Sequence, residues 1–365
     1  MSYKIHMMGQ NDPRTLYQFD RLYAWKHGFE FAPATVELCT TNACNQNCKY
    51  CYAGRTATVC KIQDDILLHC FEQFADAGVG AVIIQGTGEP LLHDLLAQAI
   101  ENGAKRNLPI WLTTNGVLFS DDLCRRILPF LFCLKISVLE NDAERYAKQH
   151  GCGKSQWHRL IENIETIVAM RASLNLPFGF TSTVYLTEHN FRHLYHIVKF
   201  CKDIGFDFVY ISEPSHNTKS LSNEGYASDH MDRNELNDVC AQIMELVDDD
   251  FKITFKLHCS GDILTGAGMH TWEKNYCQGI KFYTIVNCDG EVYPCWRYWG
   301  NKPYSYGNLY EKSFSEIWQS EQRKQIEKLV METPPDGDEC LVCGHCRLND
   351  LLNGFKKATK WVHFL

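Results

Sequence analysis

From residue 34 onward the chain alternates short apolar runs with longer amphipathic stretches, and few folds accept that order. The apolar runs lie at 34–38, 81–85, 110–113, 134–138, 180–185 and 208–212. Each is short and nearly continuous, as expected of strands covered on both faces. Between them, 63–77, 94–105, 121–128, 156–172 and 191–204 carry apolar residues at helical spacing. In the first of these, Ile66, Leu67, Cys70, Phe71 and Phe74 share a face, and Gly78 supplies a stop. Right-handed crossovers between parallel strands roll such a series into a barrel. Six repeats therefore predict an α/β fold, a partial (β/α)6 barrel, with its active site at the C-terminal ends of the strands.

The chain of 365 residues is long enough for one large α/β unit and a smaller module. A formal charge of −8 argues against a nucleic-acid or anionic-membrane partner, either of which favours a basic surface. No apolar run reaches the length of a membrane span, and the first ten residues lack the apolar core of a signal peptide. Eighteen cysteines in so long a chain then point to metal or redox use in a reducing, cytoplasmic compartment rather than to a disulfide framework. Residues 1–33, rich in aromatics, read as a lead-in that packs on the barrel.

Three of those cysteines, Cys44, Cys48 and Cys51, stand at i, i+4 and i+7 just past the first apolar run. Thiolates are soft ligands for zinc or iron–sulfur clusters, and structural zinc normally takes a fourth protein ligand. No fourth cysteine stands beside these three, which suits a [4Fe–4S] cube with one iron left open. Zinc and plain thiol packing are the alternatives. Gly86-Thr87-Gly88-Glu89-Pro90 follows the second strand, and Thr113-Thr114-Asn115-Gly116 the third. By themselves both are ordinary turn sequences.

Taken together, the CxxxCxxC spacing with Tyr50 before its last cysteine, the GTGEP turn and the TNG turn resemble the radical S-adenosylmethionine (SAM) enzymes. That family has a partial TIM-like barrel, and the resemblance implies that Cys44, Cys48 and Cys51 hold a [4Fe–4S] cluster whose open iron binds SAM. It further implies cofactor contacts at Tyr50, Gly86, Thr87, Gly88, Glu89, Pro90 and Asn115, and at Ser137 and Thr183 on later strands. Thr87 departs from the family's GGEP, where a second glycine is usual. Glu213, after the sixth strand, is a candidate to orient or deprotonate a substrate hydroxyl, or else part of a surface turn. Cys259, after a further strand expected at 252–257, is a buried thiol or a hydrogen-atom donor.

Further on, Cys277, the Gly290-to-Cys295 stretch and the Cys340-Leu341-Val342-Cys343 pair resemble the SPASM/Twitch module of the same enzymes. The resemblance implies one auxiliary [4Fe–4S] cluster on Cys277, Cys295, Cys340 and Cys343, with Cys288 and Cys346 as spare thiols. A four-cysteine zinc site is the alternative. The expected division is a lead-in (1–33), a barrel (34–265) and a SPASM/Twitch module with tail (266–365).

The family resemblance implies reductive cleavage of SAM to a 5′-deoxyadenosyl radical that abstracts a hydrogen, with a one-electron reductant of flavodoxin or ferredoxin type as partner. Only 43 residues precede Cys44, which favours a small polar substrate (sugar, cyclitol, aminoglycoside or nucleoside) over a leader peptide. The single-cluster pattern is similar to that of 2-deoxy-scyllo-inosamine dehydrogenase. The expected reaction is therefore oxidation of a secondary alcohol with the auxiliary cluster as electron acceptor. Redox-neutral epimerisation through Cys259, peptide maturation and a non-catalytic scaffold are the competing readings.

Overall fold

A computed structural model describes residues 18–53, 58–213, 232–256, 277–332, 348, 349, 351, 352 and 355. Seven parallel strands follow one another in space as in sequence: β1 (Thr35–Leu38), β2 (Ala81–Ile84), β3 (Ile110–Thr114), β4 (Cys133–Ser137), β5 (Gly179–Tyr185), β6 (Phe208–Ser212) and β7 (Lys252–Lys256). The helices between them are α2 (Asp64–Asp76), α3 (Leu96–Lys105), α4 (Asp121–Ile127), α5 (Ala143–His150), α6 (Lys154–Ser173), α7 (Leu194–Asp203) and α8 (Arg233–Met244). They follow α1 (Phe19–His27) in the lead-in. Leu67, Cys70, Phe71 and Phe74 are the buried face of α2, at the helical spacing seen in the sequence. Between sheet and helices lies a single apolar core to which nearly every strand contributes.

The sheet is wider than six strands. β7 adds to β6 in parallel register, Tyr210 opposite Thr254. On the other side of β1 lies β8 (Tyr283–Val286), also parallel, with Glu37 opposite Ile285. β9 (Glu291–Tyr293) and β10 (Gly307–Asn308) continue antiparallel, so ten strands form one sheet in the order β10-β9-β8-β1-β2-β3-β4-β5-β6-β7. The β8–β9 hairpin is thus hydrogen-bonded to the first barrel strand.

The lead-in differs from expectation in what it touches. Arg21 does reach the barrel, donating to the Gly78 carbonyl at 2.6 Å. Two of its aromatics, Trp25 and Phe31, also meet the C-terminal third of the chain. Trp25 Nε1 donates to Gln278 Oε1 at 2.9 Å, and Phe31 packs on Phe282. Trp318 of α9 (Phe314–Gln319) donates to the Phe31 carbonyl at 2.7 Å, and Arg323 of α10 (Glu321–Glu332) bonds Glu30.

Helix α5 is absent from the sequence expectation, which placed nothing between 139 and 155. Asp142 caps it, its carboxylate accepting from the Glu144 and Arg145 amides at 2.9 Å each. Arg171 makes a two-pronged ion pair with Asp207 at 2.8 and 2.6 Å. Asp207 in turn accepts from the Phe180 amide at the start of β5. Among the described residues, no helix is long and apolar enough to cross a membrane.

Candidate functional site

The chain leaves β1 at Leu38 and makes the cysteine loop before it reaches α2. The base of the loop is pinned shut. Thr41 pairs with Lys61, Asn42 exchanges hydrogen bonds with Cys60, and the Asn42 side-chain amide donates to the Thr58 carbonyl at 2.9 Å. Inside it, the Cys51 amide turns back onto the Cys48 carbonyl at 3.3 Å. Cys44 is exposed and Cys48 and Cys51 half-buried. Burial pushes the Cys44 thiol up to about 11 and Cys48 higher still, with the neighbouring cysteines adding to the rise. Among the described residues no three such side chains stand at metal-ligand spacing. The soft donor set is nonetheless present on one loop.

That loop rests on α5. The Asn47 and Lys49 amides donate to the His150 and Gln149 carbonyls at 2.9 and 2.8 Å, which satisfies two carbonyls at the helix's C-terminal end. Cys48 Sγ lies 3.4 Å from His150 Nδ1 and 3.7 Å from Gln46 Oε1. His150 is buried, stacks on the Tyr146 ring at 3.9 Å, and is pushed down to about 3 by burial, so it is neutral. None of Gln46, Tyr146, His150 or Gln156 was singled out from the sequence. The one available signal was the capping Asp142 followed by a helical stretch and Gly151.

The GTGEP and TNG turns are locked to the same loop. The Glu89 amide donates to the Ala43 carbonyl at 2.8 Å, one residue before Cys44. A β-carbon at Gly88 would lie 2.2 Å from that carbonyl oxygen, and one at Gly86 would lie 2.4 Å from Cys39 Sγ. Only glycine lets the turn approach this closely. Glu89, with Pro90 opening a short 3-10 turn behind it, is buried. Its carboxylate accepts from Thr114 Oγ1 at 2.6 Å, the Asn115 amide at 2.8 Å and the Leu91 amide at 3.0 Å. Burial raises it above the usual carboxylate range, and these donors oppose the rise. Asn115 Nδ2 then reaches Asn45 Oδ1 at 2.6 Å. Glu89 thereby ties the β2 and β3 turns together, and Asn115 carries the tie to the residue after Cys44.

Ser137 and Thr183 sit opposite each other in the β4–β5 register, at the same strand ends. Thr87 Oγ1 and Thr183 Oγ1 are buried and have no hydrogen-bond partner among the described residues. Buried orphaned hydroxyls of this kind are what a polar cofactor would satisfy. Below them the concave side of the sheet is polar and aromatic. Trp111 and Tyr210, on β3 and β6, bring their rings to 6.4 Å, and Lys135 Nζ stands 5.8 Å from the Tyr210 centroid. Glu37, on β1, is buried there and accepts from the Tyr283 hydroxyl, with Gln85 and Trp296 also acting on its carboxylate. Glu213 follows β6 directly and is buried at the same rim.

Tyr50 is buried with Lys49 over its ring. Beyond it, Cys51 and Ala53 pack on Tyr293, Trp296 and Trp299 of the C-terminal hairpin. Cys277 precedes β8 and Cys295 follows β9, so both lie at the open end of that hairpin, near Tyr306. Asn349 Nδ2 donates to Cys277 Sγ at 3.5 Å, which brings the chain back beside Cys277 three residues after Cys346. Cys288 lies in the turn at the opposite end, hydrogen-bonded to Cys60, which separates it from Cys277 and Cys295. Cys259, Cys340, Cys343 and Cys346 lie outside the described residues.

Comparison with known proteins agrees with this arrangement. Residues 38–207 match the model of the radical SAM superfamily, and residues 277–347 that of the SPASM iron–sulfur cluster-binding domain. The chain is 23% identical over 309 residues to the AdoMet-dependent heme synthase of Methanosarcina barkeri, covering 79% of this chain and 83% of that protein. It is 22% identical over 312 residues to the tungsten-containing aldehyde ferredoxin oxidoreductase cofactor-modifying protein of Pyrococcus furiosus, covering 77% and 79%. In fold it is similar to Streptococcus suis SuiB crystallised with S-adenosylmethionine, with a TM-score of 0.66 at 15% identity over 97% of this chain and 82% of that one. Radical SAM domains bind a [4Fe–4S] cluster and SAM, and SPASM domains bind auxiliary iron–sulfur clusters. The chain belongs to the radical SAM superfamily and carries a SPASM domain at its C-terminal end.

Proposed function

We propose that this chain abstracts a hydrogen from a small polar substrate held in the barrel lumen, and that the reaction oxidises a secondary alcohol. Cys44, Cys48 and Cys51 would hold the SAM-binding [4Fe–4S] cluster. Cys277 and Cys295, with Cys340 and Cys343, would hold one auxiliary cluster. When bound, the first cluster supplies one-electron cleavage of SAM and the second an electron acceptor, over a potential range the protein environment tunes. A flavodoxin- or ferredoxin-type protein would supply the electron.

The chain's own residues do the placing. Gly86 and Gly88 bring backbone close to the cysteine loop, and the buried Thr87 and Thr183 hydroxyls, with Ser137, would bind the cofactor's polar groups. Glu89 and Asn115 keep that wall rigid. Glu213, at the rim, would take the proton from the substrate hydroxyl. The observation that carries the reading is the lumen itself. It is lined by Trp111 and Tyr210 and holds Lys135 and the buried Glu37 carboxylate, a lining for a hydroxylated rather than an apolar molecule. Because one relative is a heme synthase, heme-type tetrapyrroles join sugars, cyclitols and nucleosides in the substrate panel.

Anaerobic protein should contain about eight irons per chain, falling to about four when Cys44, Cys48 and Cys51 are replaced by alanine. With the right substrate, 5′-deoxyadenosine and ketone should form in step. Glu213→Gln should cut ketone formation by about 10²–10⁴-fold while uncoupled SAM cleavage persists. Zinc in place of iron would sink the enzyme reading, and turnover with peptides alone would replace the substrate class.

A further inference from the structure

The hydrogen-bond chain beneath the cysteine loop fixes which nitrogen of His150 carries its proton. The Asn45 carbonyl can only accept, so the Gln156 amide nitrogen that meets it at 3.1 Å is the donor. Gln156 Oε1 therefore accepts, from Gln46 Nε2 at 3.0 Å. Gln46 Nε2 also donates to the Tyr146 hydroxyl at 2.8 Å. With both its N–H groups used, Gln46 turns Oε1 to His150 Nδ1, 2.7 Å away. An oxygen that only accepts requires Nδ1 to be protonated. Nδ1 also lies 3.4 Å from Cys48 Sγ, close enough for Gln46 Oε1 and the sulfur to share its one proton. The other ring nitrogen, Nε2, is left buried without a partner among the described residues, a cost the fold bears to keep this tautomer.

We propose that His150 is a positioning residue for Cys48: its single Nδ1–H, shared between Gln46 Oε1 and the Cys48 thiolate, withdraws charge from that sulfur and raises the reduction potential of the cluster held there. Without that donor, Gln46 Oε1 would face an electron-rich sulfur at 3.7 Å with nothing between them. The inference rests on the reading of Cys48 as a cluster ligand. Hydrogen bonds to ligating sulfurs favour the reduced, more negative cluster.

The test is an EPR-monitored redox titration of the signal that changes when SAM is added. His150→Phe keeps a ring against Tyr146 and should move the potential to a more negative value. His150→Asn, which can return an N–H near the position of Nδ1, should restore most of the shift. In the metal-free protein, ¹⁵N shifts of the His150 ring should report the Nδ1–H tautomer. An unchanged potential in His150→Phe overturns the proposal, as does an Nε2–H tautomer. Should His150→Phe fail to take up iron, Gln156→Leu frees the Gln46 amide and should shift the potential in the same direction, and no shift there overturns it. Absence of a SAM-sensitive signal in the unaltered protein would instead refute the ligand reading.

Discussion

Single residues decide how close the parts of the site stand. Gly86, Gly88 and Glu89 were legible in the sequence as a turn after a strand, and the structure gives the reason for each identity. The glycines admit a sulfur and a carbonyl oxygen where a side chain would collide, and Glu89 caps two turns at once. Glu37 was not legible, because a lone acidic residue inside an apolar run carries no local signature. Burial holds its carboxyl above the usual range, with the Tyr283 hydroxyl opposing the rise. The folded state therefore binds this proton more tightly than the unfolded chain does. Stability from Glu37 is present below its unfolded value near 4.5 and is lost as pH rises through the folded value. Relative to Glu37→Gln, the native protein should lose melting temperature as pH rises above about 4.5. Parallel melting curves for the two across pH 4–8 would refute the shift.

Elements are where the sequence reading was strongest and where it missed most. Strand positions followed from short β-rich runs, and α2 from its periodic face. The seventh strand was expected, but not its pairing, since hydrogen-bond partners are non-local. Helix α5 was missed because its buried residues, Tyr146, Gln149 and His150, are polar or amphipathic and give no apolar stripe. Its role is to present two carbonyls and an imidazole to the cysteine loop. Asp142→Ala removes the cap and should cost about 1 kcal/mol. Beyond the lower melting temperature, the Asn47 and Lys49 amides should exchange hydrogen faster, since their acceptors sit on that helix. Protection unchanged at both amides would mean the loop does not depend on α5.

At the scale of the whole molecule, the two matched domains share a sheet and a clasp. β8 extends β1, while Trp25, Phe31 and Glu30 of the lead-in bind Gln278, Phe282, Trp318 and Arg323. Asn349 closes the same region, its Oδ1 accepting from the Gln278 and Gly279 amides at 2.7 and 3.0 Å. Asn349→Ala would orphan both amides at a cost of about 1–3 kcal/mol. It should also lower auxiliary-cluster iron while leaving the SAM-sensitive signal intact. Loss of both together would mean that the residue supports the whole fold rather than the hairpin.

The sequence by itself determined the chemistry and the class of fold. Cysteine spacing, glycine turns and strand–helix alternation are local, and thiolate softness and backbone sterics act wherever they occur. Only the tertiary structure decided that the hairpin joins the barrel sheet, that Cys288 stands apart from Cys277 and Cys295, and that His150 faces Cys48. Those facts depend on contacts between residues about a hundred or more positions apart, which arise from packing and from the directionality of hydrogen bonds and leave no periodic trace in the chain.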